Sequence, residues 1–126
     1  MAKATGFGGA FLRARDPKAL YAWYEKHLGL EQQGGCFIFP AAAQKAYTVV
    51  AFFDENATYW PAKQPAMLNF QVDSVDAVLD ALIVAGIEVD PKRETTEYGR
   101  FGWIVDPEGN RVELWEPAPE TSETKA

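Results

Sequence analysis

Residues 106–114 read Asp-Pro-Glu-Gly-Asn-Arg-Val-Glu-Leu, a stretch that indicates a tight turn running directly into a strand. Proline after aspartate, with glycine three residues beyond that aspartate, is typical of tight turns. Strand-forming residues lie on both sides of the turn, at 101–105 and at 111–116. The pattern therefore predicts an antiparallel hairpin, followed by a polar tail after Pro117.

Two helices are indicated upstream by similar start and stop residues. In the first, Asp16 suits the N-cap, Pro17 suits the first helical position, and Gly29 supplies the stop. In the second, the N-cap falls at residues 73–74 and the stop at Gly86. Apolar residues recur at helical spacing within both segments, so each helix has one face that packs against other elements.

Strand-like segments accompany both helices, at 7–14, 36–40, 47–53, 67–72 and 87–90. The two halves of the chain correspond at an offset of about 57 residues, and each half reads as a strand, a helix and about three strands. The alternative is a generic α+β domain with two similar units. With helices gathered on the outside, an open, curved sheet would leave a concave surface suited to a small-molecule pocket.

The amino-acid composition disfavours several classes of function. The chain has 126 residues, of which 48% are hydrophobic, so it is long enough for one compact domain with a sizeable core. It has 12 Lys and Arg against 18 Asp and Glu, a net charge of -6, which disfavours nucleic acid as a partner. No apolar run approaches the roughly 20 residues that span a bilayer, so we expect no membrane association. The only cysteine, Cys36, and the lack of a signal pattern predict a cytoplasmic protein.

Three segments together resemble the vicinal oxygen chelate superfamily, which contains glyoxalase I, bleomycin resistance proteins and extradiol dioxygenases. They are the opening from Phe7 to Tyr24 before Leu28-Gly29-Leu30, the stretch Met67 to Asp73, and Tyr98-Gly99-Arg100 followed by 106–114. The resemblance implies a single glyoxalase-like domain over 1–126, with two βαβββ modules at about 6–58 and 65–117. It also implies an open, curved mixed sheet of the α+β class with outer helices, and a homodimer.

The resemblance further implies where a divalent metal would be held in enzymes of the family. The first-strand ligand position falls at about Gly9, the second-module position near Met67, and the final-strand position at Glu113. The last strand of the first module, within 47–53, offers no carboxylate or imidazole. Gly9 has no side chain, and a thioether is a poor ligand for hard divalent ions. The only histidine, His27, lies near the end of the first helix, away from the expected concave face. We therefore expect no cofactor and no usual metal site, while oxygen-only coordination of Mg²⁺ or Mn²⁺ by Glu113 and neighbours stays open.

Glu113 is the candidate on which the function depends. Strand alternation puts Val112 and Leu114 on one face and Glu113 on the other. If the two apolar residues face the helices, Glu113 points into the cavity, where a carboxylate is costly unless it is paired. It would then serve as a general base or as an anchor for a cationic ligand. The alternative is an ordinary surface glutamate bound to a nearby arginine, Arg100 or Arg13.

Four residues of the hairpin region complete the candidates. Trp103 and Trp115 offer aromatic faces to a planar or cationic ligand, or else fill the core or a dimer contact. Tyr98 and Arg100 form a lid or rim that grips an anionic group, or else a solvated loop. The predicted ligand-binding residues are thus Gly9, Met67, Asn69, Tyr98, Arg100, Trp103, Glu113 and Trp115.

Three functions are compatible with these residues. The one we favour is a protein that binds a small organic molecule without a metal, since Gly9 and Met67 cannot serve as ordinary ligands. The second is a divalent-metal-dependent lyase, isomerase or dioxygenase-like enzyme, with Glu113 as ligand or base. The third is a structural or regulatory module whose cavity is filled by its own aromatic side chains.

Overall fold

The computed structural model describes residues 9–41 and 46–119. These residues form two helices, α1 (Pro17–Leu28) and α2 (Val75–Val84). Their strands are β1 (Gln32–Gln33), β2 (Cys36–Phe37), β3 (Asn69–Gln71), β4 (Glu94–Thr96), β5 (Gly99–Val105) and β6 (Arg111–Pro117). β1 pairs with β2, and the other strands form a sheet in the order β3-β6-β5-β4, with β3 parallel to β6. The predicted α+β class with an open mixed sheet is confirmed.

Both helices begin at the residues that the sequence predicts. The Asp16 carboxylate accepts a hydrogen bond from the backbone N–H of Ala19 at 3.1 Å, and the Ser74 hydroxyl does the same for Ala77. These bonds satisfy N–H groups that the first turn of a helix leaves without partners. Gly29 follows α1 in the left-handed conformation, with φ of 71°, which costs glycine little and other residues more.

The predicted hairpin is confirmed as β5 and β6. One carboxylate oxygen of Asp106 accepts the backbone N–H groups of Glu108 and Asn110, both at 2.9 Å. The turn is therefore organised by one buried side chain. β4 was not predicted, because its Glu-Thr-Thr sequence has no apolar alternation and is exposed throughout. It forms by pairing with the first part of β5.

The core lies between α2 and one face of the sheet. Its fully buried members include Val75 and Leu79 on α2, and Ile104, Val112 and Leu114 on the hairpin. Gly102 lets the helix approach, since a Cβ at this position would lie 2.5 Å from Cδ1 of Leu79. Val112 and Leu114 thus face the helix, as the alternation predicted.

Several of the predicted strands are absent or shortened, most of them in the first half of the chain. Residues 9–14 and 47–53 form no strand, residues 36–40 contribute only β2, and residues 87–90 only an isolated bridge at Val89. Residues 7 and 8 lie outside the described part of the chain. An apolar alternating segment becomes a strand only when a neighbouring strand pairs with its backbone groups. No such neighbour is present for 9–14 and 47–53 in the described part of this single chain.

Neither described helix is long and apolar enough to cross a bilayer, since α1 has 12 residues and α2 has 10.

Contacts at the hairpin turn join α1 to the second half of the chain. The buried Tyr24 donates its hydroxyl to Asp106 at 2.8 Å. At the start of the helix, Glu108 accepts bonds from the backbone and side chain of Arg15 and from the backbone of Asp16. The turn that organises the hairpin therefore also holds the first helix.

We expect Tyr24→Phe to lower the free energy of unfolding by about 1–3 kcal/mol, because a buried carboxylate loses a donor. The matched control is Tyr21→Phe, whose hydroxyl donates to the carbonyl of Gly35 at an exposed site. That change should cost about 0.5 kcal/mol or less. Urea denaturation measures both values, and equal losses would contradict the importance assigned to the Tyr24–Asp106 bond.

Candidate functional site

Glu113 lies in the middle of β6, on the face of the sheet opposite the core. The register places Asn69 of β3 on one side of it and Trp103 of β5 on the other. Because directly opposed residues point to the same face, these three side chains form a row across three strands. Glu113 is only 8% exposed, so its carboxylate is largely withdrawn from water.

Both carboxylate oxygens of Glu113 accept hydrogen bonds. Asn69 donates its side-chain amide to Oε1 at 2.7 Å, and Trp103 donates its indole N–H to Oε2 at 3.1 Å. The hydroxyl of Tyr59 also donates to Oε2. A buried carboxylate is costly without partners, and these donors offset part of that cost.

The donors to Glu113 are neutral groups, and neither arginine of the alternative interpretation is among them. Arg100 lies on the helix side of the sheet, where its Nε bonds to Asp76 at 3.0 Å and its Nη1 to Thr95 at 2.8 Å. The interpretation of Glu113 as a surface glutamate paired with Arg100 or Arg13 is therefore wrong. Arg100 also lies apart from the other predicted site residues.

Tyr59 is the site residue that the sequence analysis missed. It lies in the segment 55–62, which forms no helix or strand and contains none of the residues proposed from the sequence. Its ring stacks on Phe53 with centroids 5.5 Å apart and contacts Trp103 edge to face at 5.9 Å. The available signal was the aromatic pair Tyr59-Trp60 in a segment otherwise made of small and polar residues.

The surroundings of Tyr59 keep its hydroxyl protonated. Burial raises the pKa of Tyr59 well above its ordinary value of 10.0, and the hydrogen bond to the negative Glu113 raises this pKa further. Tyr59 is therefore a hydrogen-bond donor at neutral pH. Because a phenol donates only one hydrogen, this bond uses its whole donor capacity.

An open cleft of about 640 Å³ adjoins this group of residues. It is lined by the segment 55–62 together with Asp90 and Arg111. Arg111 forms an ion pair with Asp90 at 3.1 Å, and its guanidinium carbon lies 5.2 Å from the centroid of the Trp103 ring. Tyr59 is common to both places, since it lines the cleft and bonds to Glu113.

Of the other predicted site residues, Trp115 lies near Glu113, and the remaining ones lie elsewhere. Trp115 lies two residues beyond Glu113 and stacks on Phe101 with centroids 6.1 Å apart, while its indole donates to the carbonyl of Tyr98. The Tyr98 side chain is 59% exposed. Met67 is half-buried just before β3. Gly9 is exposed and lies outside any strand. The structure thus brings together Asn69, Trp103 and Glu113, with Trp115 nearby.

The residues present do not fit the divalent metal of related enzymes. Of the implied ligand positions, Gly9 offers no side-chain donor and Met67 offers only sulfur. At Glu113, the chain supplies a single carboxylate, which is too few ligands by itself to hold an ion. Within residues 9–41 and 46–119, no three His, Cys, Asp or Glu side chains are grouped to hold an ion.

Comparison with known proteins identifies relatives of this fold. A sequence model of the Glyoxalase/Bleomycin resistance protein/Dioxygenase superfamily matches residues 6–114. No sequence match was found among curated proteins. Among solved structures, the chain is similar to TnmS3, an antibiotic binding protein from Streptomyces sp. CB03234. The two are 26% identical over 82% of this chain and 88% of that chain, with a TM-score of 0.52.

Two further structures are similar in fold alone. One is a glyoxylase/bleomycin resistance protein/dioxygenase domain from Frankia sp. EAN1pec, with 18% identity, a TM-score of 0.58, and coverage of 92% of this chain and 100% of that chain. The other is the fosfomycin resistance protein FosX from Listeria monocytogenes, with 15% identity, a TM-score of 0.59, and coverage of 95% and 99%.

The buried tyrosines yield a prediction about alkaline pH. The pKa values of Tyr24 and Tyr59 are raised in the folded chain, mainly by burial and then by Asp106 and Glu113 respectively. Their contribution to stability is therefore fully present below pH 10.0 and is lost as the pH rises through the raised values. In a phenolate absorbance titration, Tyr24→Phe and Tyr59→Phe should each remove one late-titrating group. Simultaneous ionisation of all five tyrosines in the folded protein would contradict this.

Proposed function

The chain belongs to the glyoxalase/bleomycin resistance protein/dioxygenase superfamily, and from this membership we propose that it binds a small organic molecule at Glu113 without the family's metal. The observation that carries the proposal is the set of donors around the carboxylate. Asn69, Trp103 and Tyr59 hold Glu113 in the middle of an aromatic surface, where it is an acceptor for a polar group of a ligand. We propose Glu113 as the anchor of that ligand.

The adjoining cleft and the similarity to TnmS3 support this proposal. A volume of about 640 Å³ falls within the range of small-molecule sites, roughly 300–1,000 Å³. TnmS3 is an antibiotic binding protein, and it is 26% identical to this chain.

We propose the cytoplasm as the location, since Cys36 is the only cysteine in the sequence and a chain with one cysteine has no internal disulfide.

Glu113→Gln tests the role of the carboxylate. A thermal-shift screen of phenols, aromatic amines and aromatic acids identifies compounds that stabilise the wild-type protein, and calorimetry measures their affinity. We expect the variant to bind them at least about tenfold more weakly, because a bond to a charged acceptor is lost. The matched control is Glu88→Gln, which makes the same change at an exposed residue. Unchanged affinity in a folded Glu113→Gln protein would reject the proposed anchor.

Binding should not depend on a divalent metal. Protein purified without chelator should contain far less than one equivalent of divalent metal by elemental analysis, and EDTA should leave ligand affinity unchanged. The reason is the donor set, in which Gly9 and Met67 occupy two of the implied ligand positions. One tightly held divalent ion per chain would contradict metal-independent binding and favour the enzyme alternative.

We also propose that the protein is a homodimer. Large apolar side chains of the first half of the chain are exposed, and among them Phe11 is 100% and Phe52 is 96% exposed. Exposed apolar surface of this kind marks a contact with another molecule. Light scattering at micromolar concentration should give twice the chain mass of 14.0 kDa. A mass of one chain would reject the dimer and leave the binding proposal standing.

A further inference from the structure

Tyr59 connects the cleft with the Glu113 carboxylate. It is one of the cleft-lining residues 55–62, and its hydroxyl donates to Oε2 of Glu113. A molecule in the cleft that takes over this hydrogen bond to Oε2 must displace the hydroxyl of Tyr59. In this structure, the Tyr59 hydroxyl occupies the position from which a hydroxyl of the ligand would donate to Glu113.

Tyr59 differs from the other two donors because it lies outside the sheet. Asn69 and Trp103 belong to β3 and β5, which pair with β6 on both sides of Glu113. Tyr59 lies outside helices and strands, and residues 51–58 before it are exposed. Segments with few buried contacts open at a lower free energy than the strands of a core. The Tyr59 backbone is tied to β6, since Nε of Arg111 donates to its carbonyl at 3.0 Å, so it is the Tyr59 side chain alone that can move without disturbing the sheet.

The group that replaces Tyr59 must itself be a donor. If the tyrosine left without a substitute, Oε2 would lose a hydrogen bond in a largely buried setting. The ring that leaves also gives up its stacking on Phe53 and its edge contact with Trp103. An aromatic ring that carries a hydroxyl restores both the hydrogen bond and the ring contacts.

Charges of both signs lie near Trp103. The Arg111 guanidinium lies 5.2 Å and the Lys92 ammonium 6.0 Å from the centroid of its ring. Arg111 is paired with Asp90 at 3.1 Å, and the indole N–H of Trp103 bonds to the Glu113 carboxylate. These charges offset one another, so the choice of a phenol rests on the hydroxyl and the ring of Tyr59 that the ligand would replace.

We propose that the ligand of this site is a phenol whose hydroxyl displaces that of Tyr59 from Glu113, so that Tyr59 is an internal substitute for the ligand. This inference rests on the proposed binding function and specifies its ligand class. It narrows the planar or cationic ligand of the sequence analysis to a neutral aromatic alcohol.

The test uses 1-naphthol and its methyl ether, 1-methoxynaphthalene, which has the same rings and no hydroxyl donor. Isothermal titration calorimetry measures both with the wild-type protein, Tyr59→Phe and the control Tyr21→Phe. Tyr59→Phe keeps the ring and deletes the competing hydroxyl, so 1-naphthol should bind about tenfold more tightly or better. Tyr21→Phe, a change on α1, should bind as the wild type does. In Tyr59→Phe, 1-naphthol should bind at least about tenfold more tightly than the ether.

Three results would overturn the inference: no tighter binding of 1-naphthol by Tyr59→Phe, equal affinity for the two probes, or no binding of 1-naphthol at all. If Tyr59→Phe fails to fold, the measurement is repeated with Tyr59→Leu. The affinities of the wild-type protein for 1-naphthol and its methyl ether can be compared without any variant. The proposed binding function and the phenol are tested by different measurements, so one can be rejected without the other. If Glu113→Gln weakens other compounds of the screen while 1-naphthol shows none of these effects, the binding function stands and the phenol is wrong.

Discussion

The buried carboxylate of Glu113 is the constraint on which this face of the molecule depends. A negative charge withdrawn from water must be surrounded by donors, and here they come from three parts of the chain. Asn69 and Trp103 are provided by the strands on either side of β6, and Tyr59 by a segment without regular structure. The carboxylate thereby links the central strands to the wall of the cleft.

The opposite face of the same strand explains why Glu113 is held so firmly. Val112 and Leu114, its two neighbours on β6, are fully buried against α2, and Gly102 on β5 allows that helix to lie close. A shift of one residue in register would bury the charge in the core and expose the apolar pair. The packing of α2 on one face of the sheet therefore fixes the position of the Glu113 side chain on the other face.

The Glu113 carboxylate, at the final-strand position that the resemblance implies for a metal ligand, is a hydrogen-bonded acceptor. Gly9 and Met67, at two other implied positions, offer no oxygen or nitrogen donor in their side chains. Resistance proteins and dioxygenases share this fold, and their functions differ through the side chains that each presents at its site.

The sequence by itself determined the features that depend on neighbours along the chain: the caps of both helices, the turn at Asp106 and the face on which Glu113 lies. These follow from local hydrogen bonding and strand alternation, which act over a few residues. Tertiary structure alone decided that the described residues of 9–14 and 47–53 are not strands, because a strand requires a partner distant in sequence. It alone also placed Tyr59, 54 positions from Glu113, on that carboxylate. No local pattern encodes such a contact, since it arises when the sheet and a distant segment pack together.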